Sequence, residues 1–252
     1  MGFFYGGIYL ESAFSRTELL IGIDKMKILK NSTVAVFGIG GVGSYAAEAI
    51  ARSGVGNIIL IDSDNISISN INRQIHADVN TIGMAKVDVM KKRLENINPH
   101  IKILTYKEYF NSENACTLLS QNYNYVIDAI DTISSKIELI IKCQEMGLPI
   151  ISSMGAGNKL DPTKFEVTDI YNTSICPLAK IMRYELKKRG VKSLKVVYSK
   201  ETPVKIDNSK FEDNKHVIGS ISFVPPVAGL ILAGEVIKDI AGINKNINSN
   251  VI

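Results

Sequence analysis

The sequence is short of paired cysteines, of long uninterrupted apolar runs, of repeats and of any large excess of charge. Its three cysteines, Cys116, Cys143 and Cys176, stand in no paired spacing. That excludes a disulfide framework and a zinc ribbon and makes reduced, cytosolic thiols the expectation. The most apolar late stretch, FVPPVAGLILAGEVIKDI, is interrupted by Pro225, Pro226 and Glu235. It is too short to span a bilayer and reads as a buried core helix, so no membrane insertion is expected. The opening MGFFYGGIYLES has neither a basic n-region nor a sustained apolar run, so no secretory signal is expected. Low-complexity tracts are missing too. A net charge of +4 permits a polyanionic partner without demanding one. With 46% hydrophobic and 21% charged residues, the 252-residue chain can build a real core.

What is present is a rhythm. SRTELLIG begins with Ser15 and has Glu18 three residues on, a capping-box pattern that starts a helix near Arg16, with Gly22 breaking it. TVAVFG is continuous and β-branched, as in a strand buried on both faces. GVGSYAAEAIARSG follows as a small-residue helix ending at Gly54, and NIILID as a second buried strand. GMAKVDVMKKRLENINP spaces Val87, Met90 and Leu94 as a helix that stops before Pro99. IKILTY, YNYVIDAID and LPIISS read as strands, with helices in NSENACTLLS and SSKIELIIKCQEMG. Alternating strands and helices predict βαβ units and a parallel sheet with right-handed crossovers.

Beyond residue 155 the rhythm changes. KFEVTDI and LKVVYS read as strands flanking a helix that starts near Pro177 and ends before Gly190. The polar stretch from Lys200 to Ser220 reads as a mobile loop.

Ligands in such sheets sit at the carboxyl ends of strands. There Gly38, Gly40, Gly41 and Gly43 form GxGGxG, whose amides at a helix N-terminus cradle phosphate. Asp62, about twenty residues on, stands where a ribose hydroxyl acceptor belongs, with Asp64 beside it. Both NAD and ATP fit that loop. The next stretch decides between them. Arg73 lies in the polar cluster Asn70, Asn72, Arg73 and Gln74, and Lys86 follows near a helix start; cations aimed at a triphosphate stabilise charge during attack on phosphorus and favour ATP. Asp128 and Asp131 form a carboxylate pair at a strand end, suited to Mg²⁺ bridging phosphates. The alternative for Asp131 is a helix cap.

Read together, RTELLIG, VAVFGIGGVGSYAAEAIARSGVG, IDSDNISISNINRQIHA, GMAKVDVM, VIDAIDTISSK and GAGNKLDPTKFEVTDI resemble the ThiF/MoeB/E1-like superfamily over roughly residues 12 to 241. Within it they are most similar to the branch that dehydrates N6-threonylcarbamoyladenosine (t6A) in tRNA. The resemblance implies a Rossmann-like, doubly wound, mainly parallel α/β sheet of the E1-like adenylation type. It implies a nucleotide-binding adenylation core over residues 12–155 and a C-terminal continuation over 156–252, together one compact domain. The implied activity is ATP- and Mg²⁺-dependent: the threonyl carboxylate of t6A at position 37 is adenylated, and ring closure gives cyclic t6A.

Carried onto these residues, the glycine loop, Asp62, Asp64 and Asp128 hold the nucleotide, with Asn72 beside them. Asn70, Arg73 and Lys86 contact phosphates, Asp131 manages Mg²⁺, and Arg16 reaches across a homodimer into the partner's site. The implied partners are t6A-containing, ANN-decoding tRNA and, by the same resemblance, cysteine desulfurase or sulfur-acceptor proteins; the implied location is the cytoplasm. The rival within the superfamily adenylates the C-terminus of a ubiquitin-like sulfur carrier. The paired CxxC zinc motifs of the ThiF and MoeB branches are absent, which weakens that rival.

Several features read as ordinary structure. Cys176 sits where thiol-using relatives carry a catalytic cysteine, yet is read here as a small residue before a Pro-started helix, since intramolecular ring closure needs no enzyme thioester. Cys116 and Cys143 read as core, and His76 as a structural histidine. Lys180, Arg183 and Lys187 share a helix face, either a track for RNA phosphates or a solvated surface. Gly229 and Gly234 on the late apolar helix allow close backbone packing.

Overall fold

The structure is a computed structural model that describes residues 13–120, 122–207 and 218–243, with the backbone of residues 4–5 and 8–9. Strands β1 (Phe4–Tyr5) and β2 (Ile8–Tyr9) pair antiparallel. Helices α1 (Ser15–Ile21) and α2 (Ile23–Lys30) are separated at Gly22, whose φ is +84°. The N-cap of α1 is Phe14 and no side chain caps it, so the Ser15–Glu18 capping box does not form. Ser15 already lies inside the helix, one position too far in to cap it.

Among the described residues the remaining strands build one seven-stranded sheet. Its strands are β3 (Thr33–Phe37), β4 (Asn57–Ile61), β5 (Lys102–Tyr106), β6 (Tyr125–Asp128), β7 (Ile150–Ser153), β8 (Phe165–Asp169) and β9 (Lys195–Ser199). The spatial order is β5-β4-β3-β6-β7-β9-β8, parallel throughout except that β8 runs antiparallel to β9 at the edge. Between them come α3 (Gly43–Arg52), α4 (Lys86–Ile97), the short α5 (Ala115–Leu118), α6 (Ile133–Glu145) and α7 (Pro177–Lys188), with α8 (Val224–Ile240) last.

The continuous apolar strands behave as two-sided burial requires. In β3, Val34 and Val36 point into a core shared with α3, α4 and α8, whereas Ala35 and Phe37 point into the opposite core. Strand β4 repeats this with Ile58 and Leu60 against Ile59 and Ile61. A third cluster joins Ile137 and Ile140 of α6 to Ala179, Met182 and Leu186 of α7 over Val196 and Tyr198 of β9.

Helix α8 has Pro225 and Pro226 in its first turn, where a missing amide proton costs nothing. It lies against α3 so closely that a Cβ on Gly229 would stand 2.2 Å from the Val42 carbonyl oxygen, while one on Gly234 would meet nothing within 4 Å. Only the first of the two glycines serves close packing. No helix of the described residues is long and apolar enough to cross a membrane. Residues 201–207 carry no regular structure; residues 208–217 of the expected loop lie outside the described residues.

Cys143 is buried, and burial, helped by the Asp128 charge, pushes its thiol up to about 12. Cys116 is exposed on α5, contrary to its reading as core: the helix has four residues, and Ala115 and Leu118 occupy its inner side.

Candidate active site

The chain leaves β3 toward β4 and β5 on one side and later enters β6 on the other, so β3 and β6 flank a topological switch point where ligands of open α/β sheets bind. The glycine loop occupies it. Gly38 has φ +86°, and a Cβ there would lie 2.6 Å from the Ala129 carbonyl oxygen. A Cβ on Gly43 would lie 1.8 Å from the Gly38 carbonyl oxygen, so α3 can start only where it does if both residues are glycine. No side chain caps α3 at Val42; the Ser44 amide donates to the Gly40 carbonyl at 3.0 Å, and the uncapped helix start favours an anion beside it. Gly40 has open space around it, and Gly41 lies under the aliphatic stem of Arg73, whose Cγ is 3.2 Å from its Cβ position.

Asp62 follows β4 and does two things. Its Oδ2 accepts from the Ile39 amide at 2.6 Å and its Oδ1 from the Asp64 amide at 2.9 Å. It therefore pins the glycine loop to the neighbouring strand as well as presenting a carboxylate beside it. Burial raises its pKa above the ordinary carboxylate value, opposed by the Lys86 charge. Lys86 is itself nearly buried, its Nζ 2.6 Å from Asp64 Oδ2 and 3.7 Å from Asp62 Oδ1. Asp64 thus spends its side chain on aiming Lys86.

The polar cluster folds as a 3-10 turn over Ile68–Asn70. Asn70 is buried and its Oδ1 accepts from the Ser67 amide, which shapes the turn. The Arg73 guanidinium donates to the Ser69 carbonyl at 2.7 Å and to Asn72 Oδ1 at 2.9 Å. Asn72 in turn donates to the Ser220 carbonyl at 3.0 Å, tying the arginine to the segment that leads into α8. That segment is held from the far side by Asn158, whose amide donates to the Gly219 carbonyl at 2.8 Å and whose Oδ1 accepts from the Gly219 amide at 2.6 Å.

Gln74, quoted in the sequence cluster without a role of its own, is buried with Oε1 unpartnered, and its Nε2 lies 4.0 Å from the Gly40 Cβ position. A buried acceptor left open beside the loop is what a bound hydroxyl or amine would satisfy. His76 is buried with both ring nitrogens unpartnered. Burial, with the Lys86 and Arg93 charges, holds it down to about 4, so it is neutral near pH 7.

The aspartate that ends β6 and the one three residues beyond it part company. Asp128 is sealed: Lys136 Nζ donates to its Oδ2 at 2.8 Å, Ser152 Oγ at 2.6 Å, and neither side chain of the ion pair has any exposure. Asp131 is exposed, with Thr132 Oγ1 at 3.3 Å. The N-cap position of α6 is Thr132, so Asp131 is free of that duty. Among the described residues no group of three or more His, Cys, Asp or Glu is placed to hold a metal by protein ligands alone.

Arg16 lies away from this cluster on α1, a helix with no buried residue. Around it Leu19, Leu20, Ile23 and Ile28 are 59, 87, 56 and 46% exposed. Cys176 is buried at the N-cap of α7, with Sγ 3.6 Å from the Gly155 Cβ position. Nearby Lys159 is buried and donates to the Glu201 carbonyl at 2.6 Å. Desolvation lowers its pKa, against the opposing influence of Cys176 and Glu201.

Comparison with known proteins shows what the chain as a whole is similar to. The model of the ThiF family matches residues 14–252. The tRNA threonylcarbamoyladenosine dehydratase of Bacillus subtilis (strain 168) is 47% identical over 238 residues, covering 90% of this chain and 94% of that protein. The crystal structure of Escherichia coli tRNA N6-threonylcarbamoyladenosine dehydratase, TcdA, in complex with ATP matches with a TM-score of 0.84 at 33% identity, covering 93% of this chain and 96% of that one. The adenylyltransferase and sulfurtransferase UBA4 of Vanderwaltozyma polyspora is 35% identical over 138 residues, 55% of this chain and only 31% of that protein.

Proposed function

Because the chain belongs to the ThiF family, we propose that it is an ATP-dependent dehydratase that cyclises t6A at position 37 of tRNA by way of an adenylated threonyl carboxylate. The observation that carries this reading is the end-to-end match to a dehydratase, joined to a glycine loop with Arg73 laid over it and Lys86 held beside it. The sulfur-carrier reading is disfavoured by the short overlap with UBA4 and by three cysteines that form no CxxC pair.

The chemistry asks for placement more than for acid or base. A carboxylate is already ionised at neutral pH, so its oxygen attacks the α-phosphorus of ATP without a general base and pyrophosphate leaves. Catalysis is then positioning and neutralisation of phosphate charge. The amides at the start of α3 and the side chains of Arg73 and Lys86 supply that neutralisation. Asp62 faces the ribose while fixing the loop, and Gln74 Oε1 offers an open acceptor next to Gly40. Asn72 and Asp64 act through the cations they hold. Asp128 acts as a buried strut beneath the loop between β6 and α6.

Mg²⁺ is commonly held by one or two carboxylates together with substrate phosphates; the exposed Asp131 would hold it here, and the ion would supply neutralisation of phosphate charge. In the second step a nucleophile within the threonylcarbamoyl group attacks the mixed anhydride and AMP departs. The sum is loss of one water from t6A against ATP going to AMP and pyrophosphate.

A homodimer completes this reading: the unpaired apolar face of α1 and α2 would be covered by a second copy, which brings Arg16 to the neighbouring site. The test is pyrophosphate release with ATP. It should require tRNA bearing t6A and vanish with tRNA lacking it; release driven instead by a ubiquitin-like carrier would overturn the reading.

A further inference from the structure

The chain's basic character is concentrated in one place. Residues 177–200 hold eight lysines and arginines against a single carboxylate, Glu185. That exceeds the net charge of +4 for the whole chain, so the remainder is acidic on balance.

Half of those cations are already engaged. Arg183 donates to the Thr173 carbonyl and hydroxyl, Arg189 pairs with Glu185, Lys195 with Glu235 and Asp239, and Lys200 with Glu166. The other half are not. Lys180, Lys187, Lys188 and Lys192 are exposed, and their ammonium groups have no ion pair or hydrogen bond among the described residues.

These four lie together because α7 is amphipathic. Ala179, Met182 and Leu186, at spacings of three and four, face α6 and β9, and the opposite face turns Lys180, Tyr184, Lys187 and Lys188 outward. Tyr184 is 67% exposed, an aromatic ring between lysines with no protein surface over it. The helix starts at Cys176, which touches the Gly155 turn beyond the carboxyl end of β7. It therefore begins at the end of the sheet where the active site lies and runs about 18 Å away from it at 1.5 Å per residue.

We propose that this outer face of α7 is where the stem of the RNA substrate lies, its phosphates against Lys180, Lys187, Lys188 and Lys192 and its exposed sugar edge against Tyr184. The proposal rests on the tRNA reading above and extends it from the modified nucleotide to the rest of the molecule. Charge decides the occupant. Four unpaired ammonium groups in a row, on a chain otherwise acidic, match a regular polyanion whose binding is driven by release of counterions. The direction of the helix fits a loop held at the site with its stem leading away.

The test is fluorescence anisotropy of labelled, t6A-bearing full-length tRNA against wild type and the triple charge reversal K180E/K187E/K188E across a range of salt, with ATP affinity measured in parallel. The variant should bind the tRNA at least about tenfold more weakly, and its log affinity should fall less steeply with log salt, by about 2–3. ATP affinity should be unchanged. The neutral triple K180Q/K187Q/K188Q should lie between the two, and should be read in place of the reversal if that variant does not fold. Equal affinity and slope in wild type and variants would overturn the proposed face while leaving the dehydratase reading intact. Failure of wild type itself to bind tRNA would overturn both. Weakened capture of an acidic protein with tRNA binding untouched would assign the face to that protein instead.

Discussion

Asp128 and Asp131 stand three positions apart and are separated by what surrounds them. Removing the Asp128 carboxylate strands the Lys136 ammonium in a fully buried site. Asp128→Ala should therefore cost about 3–5 kcal/mol of stability, read as a lowered denaturation midpoint. Asp131→Asn changes an exposed side chain and should leave that midpoint within about 0.5 kcal/mol while suppressing ATP-dependent pyrophosphate release. A fall in stability at Asp131 and none at Asp128 would reverse the roles. The aspartate pair is visible in the sequence as an acidic strand end. Its division of labour is not, because it depends on Lys136 one helix away and Ser152 on the adjoining strand. The same holds for Lys86, legible as a cation near a helix start but held by Asp64 twenty-two residues earlier. Gln74 was hidden for another reason: nothing in NRQ distinguishes a solvated glutamine from one buried against Gly40.

Helix α8 shows how far an element can be read from composition. Its apolar run and leading prolines announce a buried helix, and its glycines announce close packing. Only the position of α3 distinguishes the two. A methyl on Gly229 meets the Val42 carbonyl and the Ala46 amide, whereas Gly234 meets nothing. Gly229→Ala should thus lower stability by about 1–3 kcal/mol through overpacking. Gly234→Ala should raise it by up to about 1 kcal/mol through helix propensity. Thermal denaturation of both variants checks this, and the opposite ordering would mean that α8 does not seat on α3 through Gly229. The strands were the most legible elements, since two-sided burial writes itself as unbroken apolar runs in β3, β4 and β6. The antiparallel course of β8 was not legible: strand direction follows from how the 3-10 turn after Asp169 and α7 return the chain to β9, and no residue within KFEVTDI encodes it. The capping box at Ser15 failed because a helix start depends on where the preceding backbone enters, which two side chains do not fix.

At the scale of the whole molecule, the proposed dimer and the pH response are tested on separate parts of the fold. If Arg16 serves the partner's site, neither Arg16→Ala nor Arg73→Ala is active alone, but a random mixture of the two subunits restores one good site in every hybrid dimer. About a quarter of wild-type activity should return on mixing; no recovery would confine Arg16 to its own subunit or to the surface. His76 makes global stability depend on pH. Its ordinary value of 6.5 drops to about 4 on folding, so the unfolded chain binds the proton more readily between those values. Stability is full above about pH 6.5 and declines as pH falls through 4, by up to about 3 kcal/mol. His76→Gln should flatten that decline in denaturation curves, and an equally steep decline in the variant would assign it to other groups. The measurement that tests the proposed reaction most directly is mass spectrometry of nucleosides from t6A-bearing tRNA after incubation with the protein and MgATP. The account predicts that t6A loses one water, only with ATP present, and that Arg73→Ala abolishes the loss. An unchanged t6A mass, with ATP bound and the tRNA intact, would contradict it.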